Sequence, residues 1–286
     1  MTRWMLPAFL AVGVLVTLLL IVGPALYAVS LSFFDLPSLT SDPVWVGLAK
    51  YQAVLASEEF WRALWNGIVY AGLAIVLQVV LGIGFALILH QPFRGRALVR
   101  GLAFLPYLLP TVIAVLTFKW MVDGSLGIVT ILMDEWGLPP IYWFETEQAA
   151  MISVILVSVW LWTPFVTTTF LAGLQTVPTQ LYEAARVDGA GPIRRFFHIT
   201  LPMLRPILTV IILLRGVWMF NKFDVIWLTT GGGPVGATEH LPILSYRTAF
   251  TLYDIGTGAA IATISFLFLS LAVFLYFRVF PMEDDA

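Results

Sequence analysis

The chain has no cysteine and little charge: 286 residues carry 15 Lys and Arg, 17 Asp and Glu and 3 His. Without cysteine, disulfide scaffolds, thiolate nucleophiles and Cys-ligated metals are excluded. His90, His198 and His240 stand in three separated loops without the spacing of a ligand set, so no metal site is expected. Also missing are a Gly-x-x-x-x-Gly-Lys-[Ser/Thr] phosphate loop, a Gly-x-Ser-x-Gly elbow, a His-Glu-x-x-His motif and any paired carboxylates inside an apolar run. The chain therefore reads as a non-enzyme that needs no cofactor of its own. A formal net charge of −2 offers no basic patch to nucleic acid.

What is abundant is apolar surface. Hydrophobic residues make up 60% of the chain and charged residues 11%, where a soluble domain has about 25% charged. Lipid must be the solvent, and the expectation is an all-α polytopic membrane protein forming a single transmembrane domain over residues 1–286. Six apolar runs are bounded by charge, near Trp4–Phe34, Trp65–Leu89, Leu98–Met121, Ala149–Leu174, Pro206–Thr229 and Gly258–Phe280. The first is far longer than the roughly 7–15 apolar residues of a signal peptide, so a retained helix is expected.

Arg3, Arg94, Arg96, Arg100, Arg186, Arg194, Arg195, Arg205 and Arg278 fall on one side of these spans, and Lys50, Arg62 and Arg247 on the other. The side rich in Arg should be cytoplasmic, which puts both termini there. Trp45, Trp61, Trp65, Trp136, Trp143 and Trp227 sit near the outer boundary, as an interfacial belt does. Residues Asp35 to Glu59 read as an outer loop that returns through an amphipathic piece ending at Phe60-Trp61.

The loop at 175–205 between the fourth and fifth spans has internal structure. Pro178 suits a helix start, Leu181 to Arg186 favour continuation, and Gly189 suits a left-handed stop. Gly191-Pro192 begins a second helix with Ile193, Phe196 and Phe197 on one face and Arg194 and Arg195 on the other, closed by Leu201-Pro202. By composition alone this is either a hairpin lying on lipid headgroups or a helix-turn-helix knob projecting from the membrane.

Its spacing is more specific. Glu183-Ala184-Ala185, three residues, Gly189, nine residues, Ile199, one residue and Leu201-Pro202 form the signature of the membrane subunits of binding-protein-dependent ABC importers. The chain resembles the carbohydrate-uptake branch of that family, the maltose-type permeases. Val44 to Tyr51, Phe104-Leu105-Pro106 and Phe220-Asn221-Lys222-Phe223-Asp224 with the following Leu228 to Pro234 carry the same likeness.

The resemblance implies the type I importer fold, with six transmembrane helices and a cytoplasmic coupling helix between helices 4 and 5, in the compact form without extra N-terminal spans. It implies that Glu183, Ala184, Ala185, Asp188, Gly189, Ile199, Leu201 and Pro202 belong to the region that docks on an ATPase. It also implies three partners besides the bilayer: an ATPase dimer that uses ATP and Mg, a second homologous permease in a heterodimer, and a periplasmic or lipoprotein solute-binding protein. The resemblance further implies that it works in the inner (cytoplasmic) membrane of a bacterium or archaeon.

Polar groups inside spans are functional candidates by default. The fifth span holds Arg215 near mid-bilayer, Asn221 in the outer half, and Lys222 and Asp224, which are too close in sequence to face one another on a helix. In the fourth, Pro164 is expected to kink the helix, and Trp160 and Trp162 are either packing residues or platforms for a sugar ring. Resemblance to the larger maltose permease subunit points to Trp160, Trp162, Phe165, Phe220 and Asn221 as solute contacts, with Asp224 beside them. Gln78 either joins that site or bonds a neighbouring helix. The expected function is ATP-driven import of a sugar or related polyol by alternating access. The alternatives are another solute such as a phosphate ester on the same architecture, or a secondary transporter without an ATPase.

Overall fold

The computed structural model describes residues 5–36, 42–139 and 141–281, with side chains from residue 10. Trp4 at the expected start of the first span, and the acidic Glu283-Asp284-Asp285, lie outside the described residues. Helix α1 (Met5–Thr17) passes through a π turn (Leu18–Val22) into α2 (Gly23–Leu31). Two short strands, β1 (Phe34–Asp35) and β2 (Val44–Trp45), pair antiparallel with Phe34 opposite Trp45. Then follow α3 (Ala49–Ala56), the long α4 (Glu58–His90), α5 (Arg96–Leu108), α6 (Thr111–Met121) and α7 (Ile128–Glu135). Helix α8 (Glu147–Leu174) starts at Thr146, whose hydroxyl accepts the Ala149 N–H at 3.3 Å as an N-cap.

Beyond it lie α9 (Thr179–Val187), α10 (Pro192–Arg195), a π turn (Phe196–Thr200), α11 (Leu201–Met203), α12 (Arg205–Phe220) and α13 (Phe223–Thr229). The described chain closes with α14 (Leu241–Tyr246), a π turn (Arg247–Thr251) and α15 (Ile255–Val279).

Among the described residues, four helical stretches are long and apolar enough to cross a bilayer by themselves: Leu10–Leu31, α4, α8 and α15. Two further spans are reached only by counting bent pairs: α5 with α6, at 96°, and Pro192–Met203 with α12, at 71°. The expected third span therefore breaks in its middle. Pro110 lacks an N–H and forces the residue before it out of the helical region, so Leu109 is extended at φ −74° and ψ 136°. The expected fifth span breaks too, at Asn221-Lys222, where Lys222 takes φ −75° and ψ 89°. By contrast α8 continues as one helix through Pro164. Around that proline, Thr163, Thr167, Thr168 and Thr169 each donate to the carbonyl four residues back, at 2.6–3.1 Å, which satisfies polar side chains in lipid without a neighbour.

The described residues form two compact units. The first comprises residues 1–64 and 240–268. Its polar centre is Lys50, whose ammonium lies 2.7 Å from Asp35 and 3.1 Å from Asp254. Asp254 also caps α15, accepting the Thr257 N–H at 3.0 Å and the Thr257 hydroxyl at 2.7 Å. The Ile255 N–H donates to the Leu36 carbonyl at 3.1 Å, and Arg247 pairs with Glu59.

Burial pulls the Lys50 pKa down, but the two carboxylates more than offset it and hold the group above its ordinary 10.5. Burial likewise pushes Asp254 up, and the Thr257 and Lys50 hydrogen bonds outweigh it, leaving the carboxyl below its ordinary 3.8. The signs set a window. Asp254 contributes full stability above about pH 4, lost as pH falls through its lowered folded value. Lys50 contributes fully below about pH 10.5, lost as pH rises through its raised one. Lys50→Met is expected to cost about 1 kcal/mol at neutral pH, a modest sum because both carboxylates are partly solvated. The gap between variant and parent in thermal unfolding should narrow at pH 3.

The second unit comprises residues 65–239 and 269–286. Its core joins Ala86 and Leu89 of α4, Val166, Phe170, Leu171 and Leu174 of α8, and Leu204 and Ile211 around α12. Helices α4 and α8 touch at Gly82, where a Cβ would stand 2.6 Å from Val166 Cγ1. Tyr276 ties the last helix to α12 by donating to the Thr209 carbonyl at 2.8 Å. All the chemistry described below lies in this unit.

Candidate functional site

Where the fifth span breaks, a cavity of about 530 Å³ opens between the end of α12, the start of α13, α8 and the end of α5. Tyr107, Trp162, Trp218 and Phe223 give it aromatic walls; Arg215, Asn221, Lys222 and Asp224 give it polarity. The break explains a correction to the sequence reading. Lys222 and Asp224 do form an ion pair, at 3.1 Å, because Lys222 stands outside either helix and is free of the helical spacing that would separate them. The Lys222 ammonium also lies 4.2 Å from the centre of the Trp162 ring.

Arg215 is fully buried, at 0% exposure. Its Nε donates to Gln78 Oε1 at 2.8 Å, and its guanidinium carbon stands 5.3, 5.8 and 5.6 Å from the ring centres of Trp162, Phe165 and Trp218. Gln78 turns its amide nitrogen to the Ser158 carbonyl at 3.2 Å, so this side chain bridges α4 to both α8 and α12. Arg215 Nη1 and Trp162 Nε1 are buried with no hydrogen-bond partner among the described residues.

Of the expected solute contacts, Trp162, Asn221 and Asp224 line this cavity. Phe165 stands one ring behind it, 5.3 Å from Trp218 centre to centre. Phe220 is buried in the helix packing, and Trp160 is 47% exposed on another face of α8. Tyr107, Trp218 and Phe223 were not anticipated. Tyr107 reaches the cavity because the bend after Leu108 ends α5 there, which the two prolines of Leu105-Pro106-Tyr107-Leu108-Leu109-Pro110 foreshadow. Trp218 follows Arg215 by three residues and so shares its face of α12.

At the other end of α12 is the helix-turn-helix. Helix α9 closes in a Schellman motif, with Ala190 N–H donating to the Ala185 carbonyl at 2.8 Å and Gly189 N–H to the Arg186 carbonyl at 3.1 Å. Gly189 has φ +76°, which explains why glycine stands there. Glu183, Ala184 and Asp188 are exposed, as is Pro202, while Ala185, Ile199 and Leu201 are half-buried. The tip leaves Val187 89% and Ile193 74% exposed. Its base is held firmly: the Tyr182 and Thr200 hydroxyls meet at 2.9 Å, and Ile199 and Phe196 pack on the core that includes Leu174 and Leu204.

The chain's residues 78–281 match the model of the family described as "Binding-protein-dependent transport system inner membrane component". It is 34% identical to the trehalose/maltose transport system permease protein MalF of Thermococcus litoralis, over 94% of this chain and 91% of that protein. It is 33% identical to the sulfoquinovosyl glycerol transport system permease protein SmoG of Agrobacterium fabrum, over 96% and 90%. A chain of a bacterial alginate ABC transporter, solved with an alginate pentasaccharide-bound periplasmic protein, superposes with a TM-score of 0.86 at 20% identity, over 99% of this chain and 96% of that one. The chain belongs to the family of inner membrane components of binding-protein-dependent transport systems.

Proposed function

We propose that the chain is a permease subunit that passes a sugar or related polyol through the cytoplasmic membrane, driven by ATP hydrolysed on a separate ATPase dimer. One observation carries this reading: an aromatic cavity with an amide at its rim, Trp162, Tyr107 and Trp218 with Asn221, joined by α12 to the helix-turn-helix. Sugar rings have apolar faces that stack on aromatic rings and hydroxyl rims that seek donors and acceptors. The 16 residues of α12 span about 24 Å, which is the reach of this helix from the knob to the cavity. The names of similar proteins, a trehalose/maltose permease, a sulfoquinovosyl glycerol permease and an alginate transporter, support the same solute class.

In this reading the knob is cytoplasmic, with both termini on its side of the membrane, and docks on the ATPase. Glu183 and Asp188 supply polar contacts, Ala184 and Ala185 allow close approach, and Gly189 makes the turn. Ile199, Leu201 and Pro202 fix the knob to the bundle. A second, non-identical permease completes the pathway, and a periplasmic or lipoprotein binding protein delivers the solute. ATP and Mg belong to the ATPase; this chain holds no cofactor and catalyses nothing. ATP binding draws the coupling helices together and opens the permease pair outward, and hydrolysis resets it inward.

The test is uptake in proteoliposomes containing both permeases, the ATPase and the binding protein. Trp162→Ala and Asn221→Ala are each expected to lower ATP-dependent uptake of the saccharide at least tenfold. Uptake at the parental rate in both variants would remove the cavity from the pathway.

A further inference from the structure

The charge of the cavity is unbalanced. Its walls carry two cations, Arg215 and Lys222, and one carboxylate, Asp224. Lys222 and Asp224 pair with each other. Arg215 has no ion pair among the described residues; its one side-chain oxygen partner is the neutral Gln78 amide. A fully buried guanidinium without a carboxylate is costly in a medium of low polarity, and its field there is little screened. The unmet hydrogen-bonding capacity has one sign as well. Arg215 Nη1 and Trp162 Nε1 are both donors, and neither has an acceptor among the described residues.

Lys222 sharpens the point. Its ammonium rests over the Trp162 ring, at 4.2 Å, which is the face a sugar would stack on. A neutral sugar taking that face displaces the ammonium and leaves it with Asp224 as its one counter-charge among the described residues. A sugar with a carboxylate takes the ring and gives the ammonium a new partner in the same act. A carboxylate is also an acceptor-only group with the charge that the uncompensated cation calls for.

We propose that the solute of this cavity is an acidic sugar, its ring on Trp162 and its carboxylate on Lys222, in the field of the buried Arg215. This rests on the cavity being the sugar site and names the kind of sugar. Lys222 is the direct contact. Arg215 acts from beneath the aromatic lining and sets the sign of the site.

The experiment is equilibrium binding to the assembled transporter in lipid nanodiscs, without the binding protein, so that its selectivity does not intervene. The probes are trigalacturonate and the neutral maltotriose. Trigalacturonate is expected to bind at least tenfold more tightly. Lys222→Gln should cut that preference at least fivefold, and Arg215→Gln should bring the two probes within about threefold. Lys222 is only half-buried and lies outside the helices, so its variant keeps the test alive if Arg215→Gln does not fold. Equal binding of both probes, or a preference unmoved by Lys222→Gln, overturns the acidic-sugar inference and leaves the sugar site standing. No binding of either probe at millimolar concentration overturns both.

Discussion

Gly189→Asp is expected to abolish solute uptake, by at least tenfold, while ATP hydrolysis by the partner subunits continues. The reason is local. Gly189 sits at φ +76° in the Schellman turn, with nothing within 4 Å of where a Cβ would go. An Asp therefore fits, at a backbone cost of about 1 kcal/mol, small enough to leave the subunit folded and inserted. What changes is the tip, where a second carboxylate appears next to Asp188, between the exposed Val187 and Ile193. In the proposed docking on an ATPase this surface then carries added charge that must be desolvated. Gly189→Asn, which tolerates the same backbone region without charge, should retain most uptake. Parallel measurement of hydrolysis and uptake in proteoliposomes decides the matter; normal uptake by the Asp variant would sink the coupling role.

The second large effect is on stability. Gly82→Leu is expected to cost about 3 kcal/mol, because an inserted side chain here meets a core with no room to yield. Its Cβ alone would lie 2.6 Å from Val166 Cγ1, 2.7 Å from Val166 Cβ and 3.2 Å from the Thr167 backbone nitrogen. The first two atoms belong to a β-branched side chain on a helix, which has one preferred rotamer and cannot swing aside. Helices α4 and α8 must then separate, and small residues at such contacts are what let membrane helices approach. Thermal unfolding in detergent should show a midpoint lower by roughly 10 °C. Gly82→Ala should be milder, and Val166→Ala in the same chain should restore part of its loss. A Gly82→Leu chain as stable as the parent would mean that α4 and α8 do not meet here.

Much of the knob was legible because its signals are local. Pro178, Gly189 and Gly191-Pro192 each act on their own backbone, and α9, the Schellman turn and α10 fall where those residues put them. Hydropathy likewise located every apolar run, since composition needs no partner. It could not show where a run breaks. The bend after Leu108 and the opening at Asn221-Lys222 depend on what the two halves pack against, and the Lys222–Asp224 pair followed from the second of them.

Long-range pairs were the other blind spot. Arg215 meets Gln78 across 137 positions of sequence, a distance over which periodicity carries no information. One distinction was within reach. Trp160 and Trp162 lie two positions apart, about 200° around a helix, so both could not face one cavity. Only Trp162 does.

The Arg215–Gln78 hydrogen bond also bears on how the chain enters the membrane. An arginine at the centre of a lone helix costs about 2.5–3.5 kcal/mol to insert. Synthesis runs from the N-terminus, so α4, with Gln78, and α8, with Trp162 and Phe165, are made before α12 emerges. This arginine-bearing span is thus made after Gln78 and after two of the three rings that surround Arg215, so its hydrogen-bond acceptor precedes it in the order of synthesis.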